Sequence, residues 1–569
     1  MAYAAYHEQH PNLQGWQPAA FYDTDGAAVY EGEACELLYE ILRHDDVAAL
    51  QQYHRQCTNP IIRRHYDYDW DNPFAYAIEH HSFRVLRALV EIFPGKSDSS
   101  VDETLETYLA RSEISLMHAV CAAADLELFQ WLLQREPPLA SLSGPDFEGR
   151  TALFSAAVGL GDVENEEEET EEEQARRVAR HETFIYWLLD QEGCCSVPDS
   201  SWLVPLSEYG NWETTPPEGH KPAEVQLVST VLGAAVARAT SAMVARLISA
   251  AANTEEQVHS RQSWGPLLGS RIYNMGYTTR VTPLHIASLF WNADAIRVLL
   301  DHCGGDVDRT AMVNAMDSKG RLPLHWALTR SQGIPRDQLL EAVTLLVEAD
   351  PATVNVPHPE GPPPVSQAIR NSLSFSVLQL LLAHGADARS CDPGGRNLLH
   401  QLTLHVWDQP LGLDLIDQVL EQVRVNDPAP VDGSTALHYL VRHWNQLDLL
   451  RYLIKCGATV NATNRQGNTP LHEVMRGGLF VFDRRGCWRL LEPVDSDRSI
   501  QARDAMLGVL IEAGGSMEQR NGAGDTPTQV WDQVTERQRR RLQHRDAAQQ
   551  LLARGRGAGI IDGRDNNFL

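Results

Sequence analysis

Apolar residues along this chain fall into a recurring two-part pattern. The first part is a short phrase: TPLHIA at 282–287, LPLHWA at 322–327, TALHYL at 435–440 and TPLHEV at 469–474. Weaker copies read NLLHQL at 397–402, PPVSQA at 363–368, TALFSA at 151–156, SLMHAV at 115–120, NPFAYA at 72–77, TVLGAA at 230–235 and TPTQVW at 526–531. The second part is a longer stripe with Leu, Ile and Val at helical spacing: AIRVLLDHCG (295–304), AVTLLVEAD (342–350), SVLQLLLAHGAD (376–387) and LLRYLIKCGATVN (449–461). That spacing predicts a second helix with one buried face. Phrase starts from 282 to 469 are separated by 40, 41, 34, 38 and 34 residues, so the pattern is a repeat.

Each copy carries the local signals of a short helix. A Gly stands two residues before the phrase at Gly149, Gly320, Gly361, Gly395, Gly433, Gly467 and Gly524, which suits a tight turn at positive φ. Thr282, Thr435 and Thr469 are placed to cap the first helix, and Pro283 and Pro470 fall at its first position, where a missing N–H costs nothing. Leu284 begins the apolar contact, and small residues such as Ala287 and Ala327 let neighbouring helices approach. Gly304, Gly385 and Gly457 are expected to close the second helices in the left-handed conformation.

With phrase, glycine, helix pair and period recurring together, the sequence resembles the ankyrin-repeat family. The segment LDLLRYLIKCGATVNATNRQGNTPLHEV (447–474) is nearly a complete consensus, and the resemblance is strongest over 282–475. It implies an all-α fold, an α-solenoid of stacked helix-turn-helix units with short hairpin tips and long loop insertions. It also implies that His285, His325, His400, His438 and His472 hydrogen-bond across their turns and act structurally. One such unit cannot bury its own apolar face, so neighbours must supply the core. The expected organisation is an N-terminal segment and degenerate helical cap (1–60, with a helix pair near 34–54), N-terminal repeats (61–160), degenerate repeats with acidic and Pro-rich insertions (161–281), regular repeats (282–476), an insertion (477–501), and a degenerate last repeat with an Arg-rich cap (502–569). The apolar stretch 229–252 reads as a helix pair. The run DVENEEEETEEE (162–173), the Pro-rich stretch 191–227 and the segment 254–279 read as loops.

Composition narrows the function. The chain has 569 residues and is 43% hydrophobic, enough for a packed core. Its 76 acids against 48 Lys and Arg leave a net charge of −28, which argues against nucleic acid or an anionic membrane as the main partner. Nine scattered Cys with no CxxC fit a reduced, intracellular protein, cytoplasmic or nuclear and not secreted. No GxSxG, HExxH, Walker A or GxGxxG pattern is present, so no enzyme, metal, cofactor or small-molecule substrate is expected.

The family binds through its turn tips and the exposed end of the first helix. Carried onto this chain, that gives Arg150, Lys319, Arg321, Arg396, Arg465, Gln466 and Asn468 at the tips. Leu289, Phe290, Thr329, Arg330, Arg442 and His443 fall on or just after the first helices, with Trp291 and Trp444 beyond. Basic and aromatic residues on an acidic protein suggest a protein partner held by charge and shape. The expected function is therefore a non-enzymatic scaffold or adaptor. One alternative is a regulator that masks or carries a nuclear factor, prompted by the acidic run and the basic stretch ERQRRRLQHR (536–545). Another is an enzyme or enzyme subunit with a separate fold in 160–281.

Overall fold

The computed structural model describes residues 18–22, 28–56, 72–93, 104–146, 149–161, 170–191, 201–204, 225–228, 230–250, 262–264, 278–302, 306–329, 337–358, 361–371, 373–405, 411–482, 488–491 and 497–540. Its contacts divide the chain into two units. The first is Met1–Asp308 with Ala315–Ser318 and Ser331–Ile334; the second is Arg309–Asn314, Lys319–Arg330 and Pro335–Leu569.

Both units are built from antiparallel helix pairs in which like packs on like. In the first unit the first helices Leu116–Ala122, Ala152–Gly161, Val231–Ala235 and Pro283–Leu289 pack in that order. Helix Ser241–Ala250 packs on Ala293–Asp301 in the parallel row of second helices. The pair Ala34–Arg43 and Val47–Gln56 packs on Pro73–Glu79 and Phe83–Ile92. In the second unit the row of first helices is Pro323–Ala327, Pro364–Arg370, Leu398–Leu404, Ala436–Leu440 and Pro470–Val474. Behind it, Asp337–Ala349, Phe375–Ala383 and Leu413–Leu420 pack in series, as do Leu447–Lys455 and Asp497–Glu512. First helices are buried nearly all round, as Pro283 to Leu289 are, because they have neighbours on every side. Second helices bury one stripe, such as Leu449, Leu450 and Leu453.

Close approach decides one residue. A Cβ on Gly159 would lie 2.0 Å from the carbonyl oxygen of Ala122 on the neighbouring first helix, so only glycine fits there.

The tips follow the expected turn chemistry with one exception and one substitution. Six of the seven anticipated glycines have φ between +69° and +87°. Gly361 does not; a Cβ there would meet His358 Nδ1 at 2.8 Å, so that half-buried ring would have to shift. In the copy at 282 the same position is Arg280, held at φ 61°. Gly385 and Gly457 close their second helices at φ 88° and 91° as expected, while Gly304 lies outside the described residues.

Successive repeats are stapled by asparagines beyond the second helices. Asn426 donates to Gly457 O and accepts from Thr459 N, and Asn461 does the same with Gly514 O and Ser516 N. Asn355 does so with Gly385 O and Asp387 N. In the intervening step Gln422 reaches back to Ala386 O and Ala388 N.

The insertions differ from their sequence reading. The loops expected over 191–227 and 254–279 and the insertion expected over 477–501 contain strands: Ser201–Val204 pairs with Val225–Val228, Gln262–Trp264 with Thr278–Val281, and Leu479–Phe482 with Trp488–Leu491, all antiparallel. A fourth hairpin joins Pro18–Tyr22 to Ala28–Glu33. The end of the acidic run is helical: Glu171–Leu189 is one helix, capped by Thr170, whose hydroxyl accepts from Glu173 N while the Glu173 carboxylate accepts from Thr170 N. Acids in a first turn are favoured by the helix dipole, which periodicity alone does not register. Residues 162–169 and 541–545 lie outside the described residues; 527–540 is helical.

Two substitutions probe these constraints. Gly159→Ala should cost about 3 kcal/mol by overpacking. Arg280→Gly should gain about 0.5–1 kcal/mol by releasing a strained backbone. Urea unfolding of both variants checks the pair; equal midpoints would contradict the geometry.

Candidate partner-binding site

The repeat phrase uses its histidine twice. In His285, His438 and His472, Nδ1 accepts from the backbone N–H of the capping Thr at 3.2, 3.1 and 3.1 Å. In His325 it accepts from Leu322 N at 3.0 Å. With Nδ1 an acceptor, the proton sits on Nε2, which donates onward: His438 to Asn468 O and His472 to Asp525 O, both at 3.0 Å. His400 donates from Nε2 to Asp427 O at 2.8 Å, although there Asn397 caps the helix with its own side chain.

Burial lowers the pKa values of His400, His438 and His472, and pushes His118 down to about 4 with the Arg150 charge assisting. Among the described residues no group of three or more His, Cys, Asp and Glu could hold a metal ion. No described helix is long and apolar enough to cross a membrane.

The residues read as a binding strip fall into three groups. Leu289, Phe290, Asn468 and His443 are buried, as are Trp291 and Trp444, so they form core and not surface. His443 bonds Leu404 O through Nε2 at 2.6 Å, and Trp444 donates to Val474 O at 3.2 Å. Arg330 lies outside the described residues. Thr329 is half-buried and donates to His325 O at 3.0 Å.

The second group is arginines engaged within the array. Arg150 places Nε and Nη2 at 3.1 Å from Asp146, whose other oxygen accepts Arg150 N. Burial alone would raise Asp146, but bonds from Ser115 and Arg150 outweigh it and hold its carboxyl below the usual range. Arg396 repeats the arrangement on Asp392, Nε at 2.9 and Nη2 at 2.8 Å. Arg321 is buried over the Trp326 ring, 5.1 Å from its centroid. The signal for these pairs was in the sequence, where DFEGR (146–150) and DPGGR (392–396) share one spacing. Arg442 pairs with Glu473 at 2.9 Å.

Glu473 is a buried hub that sequence reading missed. Its carboxylate takes Arg442 Nε, Asn468 Nδ2 at 3.0 Å and Asn464 Nδ2 at 3.5 Å, and Asn521 donates to Asn468 Oδ1 at 3.0 Å. The network crosses three repeats beneath the tips.

The third group is exposed. Arg465 and Gln466 stand on the tip that Asn464 N closes onto Asn468 O. Lys319 is half-buried on its own tip. Adjacent tips are joined by backbone bonds, Arg465 N to Asp432 O and Gly522 N to Gln466 O, both 2.8 Å.

An ankyrin-repeat family model matches residues 280–311 and 432–465, two units whose capped first helix, second helix and tip have just been described. Over those residues the chain carries ankyrin repeats. It is 29% identical to Rabankyrin-5 of Homo sapiens over 189 residues, 33% of this chain and 14% of that protein. It is 28% identical to the B-cell lymphoma 3 protein homolog of Mus musculus over 36% of this chain and 42% of that one. It is 28% identical to Neurogenic locus notch homolog protein 1 of Danio rerio over 23% and 5%. The chain thus spans less than half the length of each of these relatives. Among solved structures, the ankyrin repeat domain of Bcl-3 aligns over 45% of this chain and 98% of that one, with 20% identity and a TM-score of 0.31.

Two predictions follow from the ankyrin core. Because folding lowers the histidine pKa values, the unfolded state binds more protons below its ordinary value of about 6.5. Stability should therefore be flat above that pH and fall as pH drops through it, by up to about 1.4 kcal/mol per pH unit for each such histidine. Urea midpoints from pH 8 to 5 read this, and a flat profile would contradict it. Separately, Glu473→Leu strands Arg442 and two buried amides and should cost about 2–3 kcal/mol, whereas a loss below about 0.5 kcal/mol would show the hub to be dispensable.

Proposed function

We propose that this ankyrin-repeat protein is a non-enzymatic scaffold that holds partner proteins along the tip edge of its second unit. Ankyrin repeats are protein-interaction modules, and the relatives named above carry them. The observation that supports this edge is its construction. Successive tips are hydrogen-bonded to one another through Asp432 and Arg465 and through Gln466 and Gly522, so the edge is set before a partner arrives. Pro430, Val431, Arg465, Gln466 and Ala523 are exposed along it. A preformed edge loses little conformational freedom on binding. The buried histidines, in contrast, are committed to helix caps and neighbouring carbonyls, an arrangement suited to holding shape.

The test is quantitative co-purification from cells with the intact chain, with a variant combining Pro430→Ala, Gln466→Glu and Ala523→Glu, and with Arg451→Glu on an outer helix as control. At least one partner should drop about fivefold with the tip variant alone. Identical partner sets for all three would overturn the assignment.

A further inference from the structure

One tip differs from its neighbours. Four described tips close with the N–H of residue i on the carbonyl of residue i+4: Asp146 on Arg150, Asp392 on Arg396, Asn464 on Asn468 and Asn521 on Asp525. In the tip of the copy at 435, Ala429 N closes on Ser434 O, and Gly433 N bonds Ala429 O where the others bond one residue nearer. This loop is one residue longer. The extra length carries Pro430 and Val431 outward, and Val431, at 62%, is the most exposed large hydrophobic side chain among the described residues.

A cation sits directly beside it. Arg465, on the next tip, lays its stem over Gly433: a Cβ on that glycine would meet Arg465 Cγ at 3.2 Å. Its Nη1 donates to Val431 O at 3.0 Å. Arg150, Arg396 and Arg442 each hold a carboxylate of this chain, but among the described residues none lies within 4.0 Å of Arg465. A guanidinium has five N–H donors, and here one of them fixes the group in place. The result is a positive charge anchored to the backbone carbonyl of a residue whose aliphatic side chain is exposed, on a protein of net charge −28.

Resting on the reading that this edge binds proteins, we propose that the Pro430–Val431 and Arg465 pair is the specificity site for its partner. It takes an extended segment presenting a large aliphatic side chain and a carboxylate one to three residues apart. The aliphatic group covers Pro430 and Val431, and the carboxylate completes the guanidinium. The spacing follows from the bond that holds the guanidinium at the Val431 carbonyl, since an extended chain advances about 3.3 Å per residue. An acidic scaffold repels an acidic ligand over most of its surface, so an arginine without a carboxylate partner beside the exposed Val431 favours this tip for such a ligand.

The intact chain is used to pan a phage-displayed library of random dodecapeptides, and enriched peptides are synthesised with a fluorescein label for anisotropy. Enriched sequences should pair Asp or Glu with Leu, Ile, Met or Phe within three residues. Affinity should fall at least about tenfold with Arg465→Glu and with Val431→Asp, fall less with Arg465→Lys, and weaken as salt is raised. Circular dichroism confirms that each variant is folded. Enrichment of peptides lacking a carboxylate, affinities indifferent to Arg465→Glu, or no enrichment would overturn the proposal. So would self-association of the chain that Val431→Asp abolishes, since the patch would then belong to a second copy. If partners co-purify and are lost with the Pro430, Gln466 and Ala523 variant while Arg465→Glu is silent, the scaffold reading survives and this site does not.

Discussion

The first helices of this protein are short, five residues each at Pro323–Ala327, Ala436–Leu440 and Pro470–Val474. A helix of that length has almost no internal hydrogen bonds to repay its nucleation, and its terminal amides must be satisfied from outside. The imidazole of the phrase meets both needs. One nitrogen accepts the N–H that opens the helix, and in His438 and His472 the other donates to the tip of the next repeat. Local capping and repeat-to-repeat attachment are thus a single side chain, and the tautomer that serves one requires the other. The asparagine staples behind the second helices give the stack a second line of attachment.

This division of labour explains which parts of the molecule are free to vary. Side chains in the phrase touch neighbours on every side, so even Leu289, Phe290 and Trp291, at and just beyond the end of a first helix, are buried. The tips are constrained in their backbone, and some of their side chains are committed to ion pairs or the Glu473 network. Asp146, Asp392, Asn464 and Asn521 fix that backbone by accepting amide bonds from within their own turns. The side chains that stay exposed, such as Arg465, Gln466 and Ala523, lie between the first and last residues of a tip.

The helix pairs, the caps and most turn glycines were legible because each rests on short-range rules of spacing and backbone conformation. The binding strip was less so. Arg150 and Arg396 look like free tip cations when only the turn is read, but an aspartate four residues earlier in the same turn neutralises each. Arg442 is held by Glu473, 31 residues away in the next repeat, and no local pattern encodes that pairing. The strands inside the insertions escaped because their partners are far along the chain, as with Ser201 and Val228. Gly361 was expected at positive φ and does not adopt it, since a glycine in the pattern does not by itself reveal its backbone conformation.

A stack of equivalent tips has a weakness as a reader of other molecules: a ligand that fits one step fits the next, displaced by a repeat, and can occupy several registers. The one-residue excess in the 429–434 tip removes that degeneracy. For the ligand proposed above, it would act as an index mark, giving a bound segment one origin among the tips.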